Sequence, residues 1–168
     1  MTSSLVAASL ALSFAVGAQA AGSHAGGHAH EQNGDQTSYG KPGVASKISR
    51  TIEVIMSDDM RFTPSRVQVR RGETVRFAVK NAGQVRHEFS LGTRQELEEH
   101  YEQMKKFPDM VHDEPNKISL EPGKQGEVIW HFNKGGTVDF ACLHVGHYEA
   151  GMKGQVKVGK LLNAKVMR

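Results

Sequence analysis

Apolar residues alternate with polar ones along most of this chain, and this period of two restricts its fold more than any other feature. From about residue 50 onward, short runs place Val, Ile, Met, Phe or Trp at every second position, as expected of strands with one buried face. Their inward residues span Ile52–Met56, Val67–Val69, Val75–Val79, Val128–Phe132, Val138–Phe140 and Val156–Val158. Turn residues separate several of these runs, so we predict an all-β protein built as a β-sandwich.

One segment departs from this period. Thr93 can cap a helix, and Glu96 three residues later completes a capping box. Three apolar side chains then recur at helical spacing: Leu97, Tyr101 and Met104. The pattern predicts a short helical insert over residues 93–106.

The amino terminus has the composition of an export signal. Residues 1–20 carry no charge, residues 5–16 are mostly apolar, and Ala18 and Ala20 form a small-residue cleavage site. A membrane anchor is the alternative, but the apolar stretch is short for one. We therefore predict a signal peptide over residues 1–20, a periplasmic location, and no stable membrane insertion after cleavage.

The next segment, residues 21–47, is rich in Gly, Ala, Ser, His and Gln, and we predict that it is a flexible tail. It carries a histidine tract, His24, His28 and His30, which is either a copper-capturing site or an unselective solvated linker. The folded domain is predicted to span residues 48–160, followed by a C-terminal tail over residues 161–168.

Composition excludes several functions. The net charge of +3 and the lack of a dense basic patch argue against nucleic acid as a partner. We find no acid/base pair, nucleophile triad or phosphate loop, so no enzyme activity is predicted. The chain has one cysteine, which cannot form an internal disulfide and must be a free thiol, an intermolecular bridge or a metal ligand.

That cysteine lies in a loop with other soft-metal donors. Cys142 is followed five residues later by His147, and His147 five residues later by Met152. A set of two histidines, one cysteine and a weak axial methionine is the type 1 copper arrangement. The second histidine has a candidate in His87, which shares strand parity with Phe89 and should point inward, as Cys142 should.

The loop and the upstream histidine resemble the cupredoxins, the plastocyanin/azurin family of small copper proteins. The resemblance covers residues 48–158 and is carried by the Cys-x₄-His-x₄-Met pattern and by residues 86–89, Arg-His-Glu-Phe. It implies a Greek-key β-sandwich with copper at one end. The same residues look most like a bacterial periplasmic subgroup associated with copper tolerance.

By this resemblance, His87, Cys142 and His147 are the equatorial ligands and Met152 is the axial ligand of one mononuclear type 1 copper. His144 stands in a part of the loop where relatives often have an apolar residue followed by proline. Its imidazole is either a further ligand, an entry site or a proton-linked group, or else an ordinary solvent-facing loop histidine.

A second cluster surrounds the helical insert: His100, Met104, Met110 and His112. Imidazole and thioether groups suit copper(I). Met104, however, lies on the apolar stripe of the helix, so core packing is the preferred interpretation for it.

The resemblance implies a copper-binding protein that contributes to copper tolerance through a one-electron Cu(I)/Cu(II) site. The expected partners are copper ions and a redox protein such as a c-type cytochrome or a copper oxidase or exporter. The alternative is a dedicated electron carrier between periplasmic redox enzymes. A metal-free adhesion sandwich is disfavoured because Cys142 and His87 both face inward.

Overall fold

The computed structural model describes residues 37–108 and 114–159, which form two five-stranded sheets and one α-helix. Several sequence features lie outside the described residues: the predicted signal peptide, the tract of His24, His28 and His30, Met110, His112 and the C-terminal tail. No helix within these two ranges is long and apolar enough to cross a membrane.

Each of the six predicted alternating runs lies in a strand, and the described residues contain further strands that the alternation did not predict. In chain order the strands are β1 (Lys41–Pro42), β2 (Arg50–Ser57), β3 (Arg61–Thr63), β4 (Arg66–Arg70), β5 (Glu73–Asn81), β6 (His87–Gly92), β7 (Lys117–Leu120), β8 (Gln125–Phe132), β9 (Gly136–Ala141) and β10 (Lys153–Gly159). A 3₁₀ turn, Ala45–Lys47, precedes β2, and the helix α1, Arg94–Lys106, lies between β6 and β7.

Long-range pairing defines the two sheets. The first has the strand order β1-β8-β5-β2-β3, and the second has the order β4-β10-β9-β6-β7. The pairs β2–β5 and β4–β10 are parallel, and the other paired strands are antiparallel. Consecutive strands thus fall in different sheets at several points, as in a sandwich rather than a simple meander.

The core lies between the sheets and includes nearly all the inward side chains that the alternation predicts, together with others such as Phe62 that lie outside the predicted runs. Phe77 of β5 meets Phe89 of β6 with ring centroids 5.3 Å apart, which links the two sheets at the centre. Phe62 packs edge-on against both Phe89 and Phe140. Edge-to-face and tilted ring contacts of this kind contribute beyond the apolar area that they bury. The predicted all-β sandwich is therefore confirmed.

The helical insert is also confirmed, and it covers the outer face of the second sheet. Thr93 accepts a hydrogen bond from the backbone N–H of Glu96, whose carboxylate accepts one from the backbone N–H of Thr93, so the capping box is present. The apolar stripe of α1 packs against Ala141 and Leu143, and Met104 in that stripe is 2% exposed. Core packing is thus the correct interpretation for Met104, and β6 is buried on both faces.

The predicted boundary of the flexible tail is wrong at its end. Residues 37–47 belong to the fold, because β1 pairs with β8 and Tyr39 is buried. The Tyr39 ring stacks on Trp130 at 5.4 Å, and its hydroxyl donates a hydrogen bond to the Leu91 carbonyl. One aromatic residue within a polar, Gly-rich stretch gives no periodicity, so the sequence pattern does not reveal this contact. At the other end, β10 stops at Gly159.

Candidate metal centre

Strand register places two of the candidate ligands opposite each other. In the antiparallel pair β9–β10, Ala141 lies opposite Lys153. The pairing continues one residue further, where the Cys142 N–H donates to the Met152 carbonyl at 3.1 Å. Both side chains are fully buried in the main core cluster. Cys142 and Met152 thus enter the core from the two ends of the loop that joins these strands.

The neighbouring strand supplies the distant histidine. β6 pairs antiparallel with β9, with Ser90 opposite Ala141, so the start of β6 lies beside the end of β9. The Glu88 N–H donates to the Cys142 sulfur at 3.3 Å. His87 is the first residue of β6 and is fully buried. The same register therefore brings residues 87 and 142 together although they are far apart in sequence.

The loop over residues 142–152 folds back on itself and presents His147. The His147 N–H donates to the His144 carbonyl, and the His147 carbonyl accepts from the Met152 N–H. Gly146 and Gly151 have φ values of +89° and +92°, a left-handed conformation that favours glycine. His147 Nδ1 lies 3.4 Å from the Cys142 sulfur, and its ring centroid is 5.0 Å from that of His87.

Three donor atoms therefore converge at one end of the sandwich. One ligand atom each from His87, Cys142 and His147 lies within 4.8 Å of the other two. The Nδ1 atom of His87 is buried and has no hydrogen-bond partner, whereas its Nε2 atom is engaged. A buried nitrogen without a partner is costly unless it has another use. Two imidazoles and a thiol suit copper, and these residues fit a single ion.

Burial sets the protonation of the metal-free site. Burial raises the pKa of the Cys142 thiol to about 12, although the N–H groups of Glu88 and His144 oppose this shift. Burial is also the main cause that lowers the pKa of His147, followed by the nearby His87. The thiol is thus protonated and His147 is neutral near neutral pH. Metal binding must then displace the thiol proton, while the imidazole is ready to bind.

His144 lies beside this group but outside it. Within the described ranges, the group of donor atoms contains His87, Cys142 and His147 and does not include His144. The His144 ring is 5.7 Å from the His147 ring, and its Nε2 atom is buried without a hydrogen-bond partner. The His144 side chain is partly buried. Its burial is thus lower than expected for a ligand and higher than expected for a solvent-facing loop histidine.

Sequence reasoning missed two acidic residues at the site. The Asp58 carboxylate accepts a hydrogen bond from His87 Nε2 at 2.9 Å. Glu88 is 1% exposed and accepts hydrogen bonds from the Ser90 and Ser119 hydroxyls at 2.6 and 3.1 Å. By parity Glu88 belongs on the outer face of β6, and it is buried because α1 and β7 flank that strand. Asp58 gives no sequence signal, since it lies in a turn 29 residues from His87.

Comparison with known proteins agrees with this geometry. The model of the copper-binding proteins of the plastocyanin/azurin family matches residues 50–159, which is more than half of the chain. The chain therefore belongs to this family, and copper is its cofactor. The two sheets agree with the fold of this family, and the group of donor atoms agrees with its metal.

Individual relatives of the chain carry names that refer to copper resistance. The chain is 50% identical over 135 residues to the copper-resistant cuproprotein CopI of Rubrivivax gelatinosus, covering 80% of each chain. It is 38% identical over 149 residues to the protein of that name from Pseudomonas aeruginosa, covering 71% of this chain and 82% of the other. Among solved structures, auracyanin B is similar with a TM-score of 0.59 and 25% identity, covering 71% and 96% of the two chains. The predicted cupredoxin fold is confirmed, and the relatives support a role in copper handling.

Proposed function

We propose that this chain is a periplasmic type 1 copper protein that contributes to copper tolerance. The observation that carries the proposal is the convergence of His87, Cys142 and His147, with the buried His87 Nδ1 atom left without a partner. The proteins named for copper resistance, similar to this chain over most of its length, support the same role. Export is supported by the composition of residues 1–20.

In this proposal, His87, Cys142 and His147 would hold the copper through two imidazoles and a thiolate, and Met152 would add a weak thioether donor. Bound copper supplies one-electron exchange between Cu(I) and Cu(II). The chain holds the donors in place, because three of them are anchored at strand ends and the fourth in a hydrogen-bonded loop. The Glu88 N–H at the Cys142 sulfur stabilises negative charge there and so helps to set the reduction potential.

We further propose that the protein is not an enzyme. All four donors come from the chain, and the metal would lie at a site where His87, Cys142 and Met152 are fully buried. Such a site leaves no open position for a substrate, in contrast to catalytic metal sites, which keep one. Binding, oxidation or transfer of copper fits this arrangement better than chemistry on an organic molecule.

A dedicated electron carrier is the second candidate, and one observation favours it. His147 is only partly buried, and exposed apolar residues lie in the loops beside the ligands: Val85 is 43% exposed and Val145 is 52% exposed. An apolar rim around a partly exposed ligand suits brief contact with a redox partner such as a c-type cytochrome. This role uses the same four donors, so only a functional experiment separates the two.

Deletion of the gene tests the proposal. We expect deletion to increase sensitivity to added copper without blocking respiration, and we expect the wild-type gene to restore growth. A Cys142→Ser gene expressed at the same level should not restore it, because the thiolate ligand is lost. Unchanged copper sensitivity, together with a respiratory defect, would favour the electron carrier instead.

A further inference from the structure

One acidic side chain reaches the copper site from the opposite sheet. Asp58 follows β2, in the first sheet, whereas His87 begins β6, in the second. The carboxylate Oδ1 atom lies 2.9 Å from His87 Nε2 and forms an ion pair with it if the ring is charged. This contact joins the two sheets at the end where the donor atoms converge.

Backbone groups hold the Asp58 carboxylate in place. The Gln84 N–H donates to Oδ2 at 2.7 Å, and the Val85 N–H makes a longer contact with Oδ1 at 3.5 Å. Held by these backbone donors, the Asp58 carboxylate presents Oδ1 to His87 Nε2 at 2.9 Å and acts as the hydrogen-bond acceptor. His87 Nε2 must therefore carry the hydrogen. A neutral imidazole with hydrogen on Nε2 has its lone pair on Nδ1, the atom that has no partner.

Gly83 provides the space for this arrangement. A Cβ atom built on residue 83 would overlap the Asp58 carboxylate. The Gly83 N–H donates to the Asn81 side chain at 2.9 Å, which fixes the loop between β5 and β6. The approach of the carboxylate to His87 thus depends on glycine at this position for lack of room, not for backbone strain.

We propose that Asp58 is a positioning residue of the copper centre, which fixes the tautomer and orientation of His87 and places a negative charge behind its ring. This inference rests on the proposed function, in which His87 binds copper through Nδ1. A carboxylate behind a metal-binding histidine raises the basicity of the ligand, and losing such a partner typically lowers metal affinity by about 10- to 100-fold. The charge should favour Cu(II) more than Cu(I), and so keep the reduction potential low.

The matched variants are Asp58→Ala and Asp59→Ala. Asp59 is the next residue and carries the same charge, but its carboxylate accepts a hydrogen bond from the Ser57 hydroxyl rather than from His87. The first measurement is ¹⁵N NMR of the histidine rings in the metal-free protein. We expect a single His87 tautomer, with hydrogen on Nε2, in the wild type and in Asp59→Ala, and a mixture of tautomers in Asp58→Ala.

The second measurement is the affinity for Cu(II) and for Cu(I). Asp58→Ala should weaken Cu(II) binding by at least about 10-fold and Cu(I) binding by less, so the reduction potential rises. Asp59→Ala should change neither affinity by more than about twofold, because the Asp59 carboxylate bonds to Ser57 and not to His87. Equal effects of the two substitutions, or an unchanged His87 tautomer in Asp58→Ala, would overturn the proposal. Failure of the wild type to take up copper would instead refute the proposed function, and the NMR result would be unaffected.

Gly83→Ala gives an independent test that keeps the charge. The added methyl group should displace the Asp58 carboxylate and produce the same mixture of His87 tautomers. In the Asp58→Ala background the overlap is gone, so the same substitution should have no further effect on the tautomers. A Gly83→Ala effect of equal size with and without Asp58 would show that the carboxylate is not the group that positions His87.

Discussion

At the scale of single residues, the two ring nitrogens of His87 have different roles. Nε2 donates to the Asp58 carboxylate, while Nδ1 is buried without a protein partner. The Cys142 sulfur also has protein partners, since it accepts from the Glu88 N–H and lies 3.4 Å from His147 Nδ1. His87 and Cys142 are therefore oriented by contacts that do not involve the metal, which reduces the rearrangement needed on binding.

Met152→Leu tests the axial ligand at this scale. The two side chains have similar volumes, so the substitution should cost less than about 1.5 kcal/mol of folding free energy although Met152 is fully buried. We expect the variant to retain copper with an altered visible spectrum and a higher reduction potential, because a weak donor to Cu(II) is lost. Electrochemistry and denaturant unfolding measure the two effects, and an unchanged spectrum and potential would argue against axial ligation.

The site residues that can be predicted from the sequence are those that lie in a short motif or in an alternating strand pattern. Strand parity predicts that Cys142 and His87 point inward, and the structure buries both side chains and brings their donor atoms together, with Cys142 in the main core cluster. Asp58 and Glu88 could not be found in this way. Asp58 acts across two sheets, and Glu88 is covered by elements whose position depends on the whole topology.

At the scale of elements, the helix contacts the ligand loop, and the first strand extends the first sheet through its pairing with β8. The Tyr101 hydroxyl of α1 accepts a hydrogen bond from the Gly146 N–H in the ligand loop, and the Tyr101 ring stacks on Tyr148 at 4.9 Å. The helix was predictable because its caps and apolar stripe are local. The segment around β1 was not, because its contacts are with residues of β8 that lie far away in the sequence.

Tyr39→Ala tests whether this segment is part of the domain. Tyr39 is 6% exposed, and loss of its ring removes the contact with Trp130 and the hydrogen bond to Leu91. We expect the free energy of unfolding to fall by about 3 kcal/mol, as for other buried aromatic truncations. Val44→Ala, at a 56% exposed position of the same segment, is the control and should change it by less than about 0.5 kcal/mol. Similar small effects of both would mean that residues 37–47 do not stabilise the fold.

At the scale of the whole molecule, the register of the paired strands determines which residues meet at the site. The pairings β6–β9 and β9–β10 bring residues 87, 142 and 152 to one end of the second sheet, while a turn of the first sheet supplies Asp58. The alternation predicted that these strands exist and which faces they bury. Their order in the sheets is a long-range property, which no short pattern in the sequence specifies and which family resemblance supplied.

The most direct test of this account is the visible absorption and EPR spectrum of the purified protein with one equivalent of Cu(II), compared with that of Cys142→Ser. We predict an intense thiolate-to-copper absorption and a type 1 EPR signal in the wild type, and the loss of both in the serine variant. A weak, ordinary Cu(II) spectrum in the wild type, or an intense absorption that persists without the Cys142 thiol, would contradict the assignment of this copper centre.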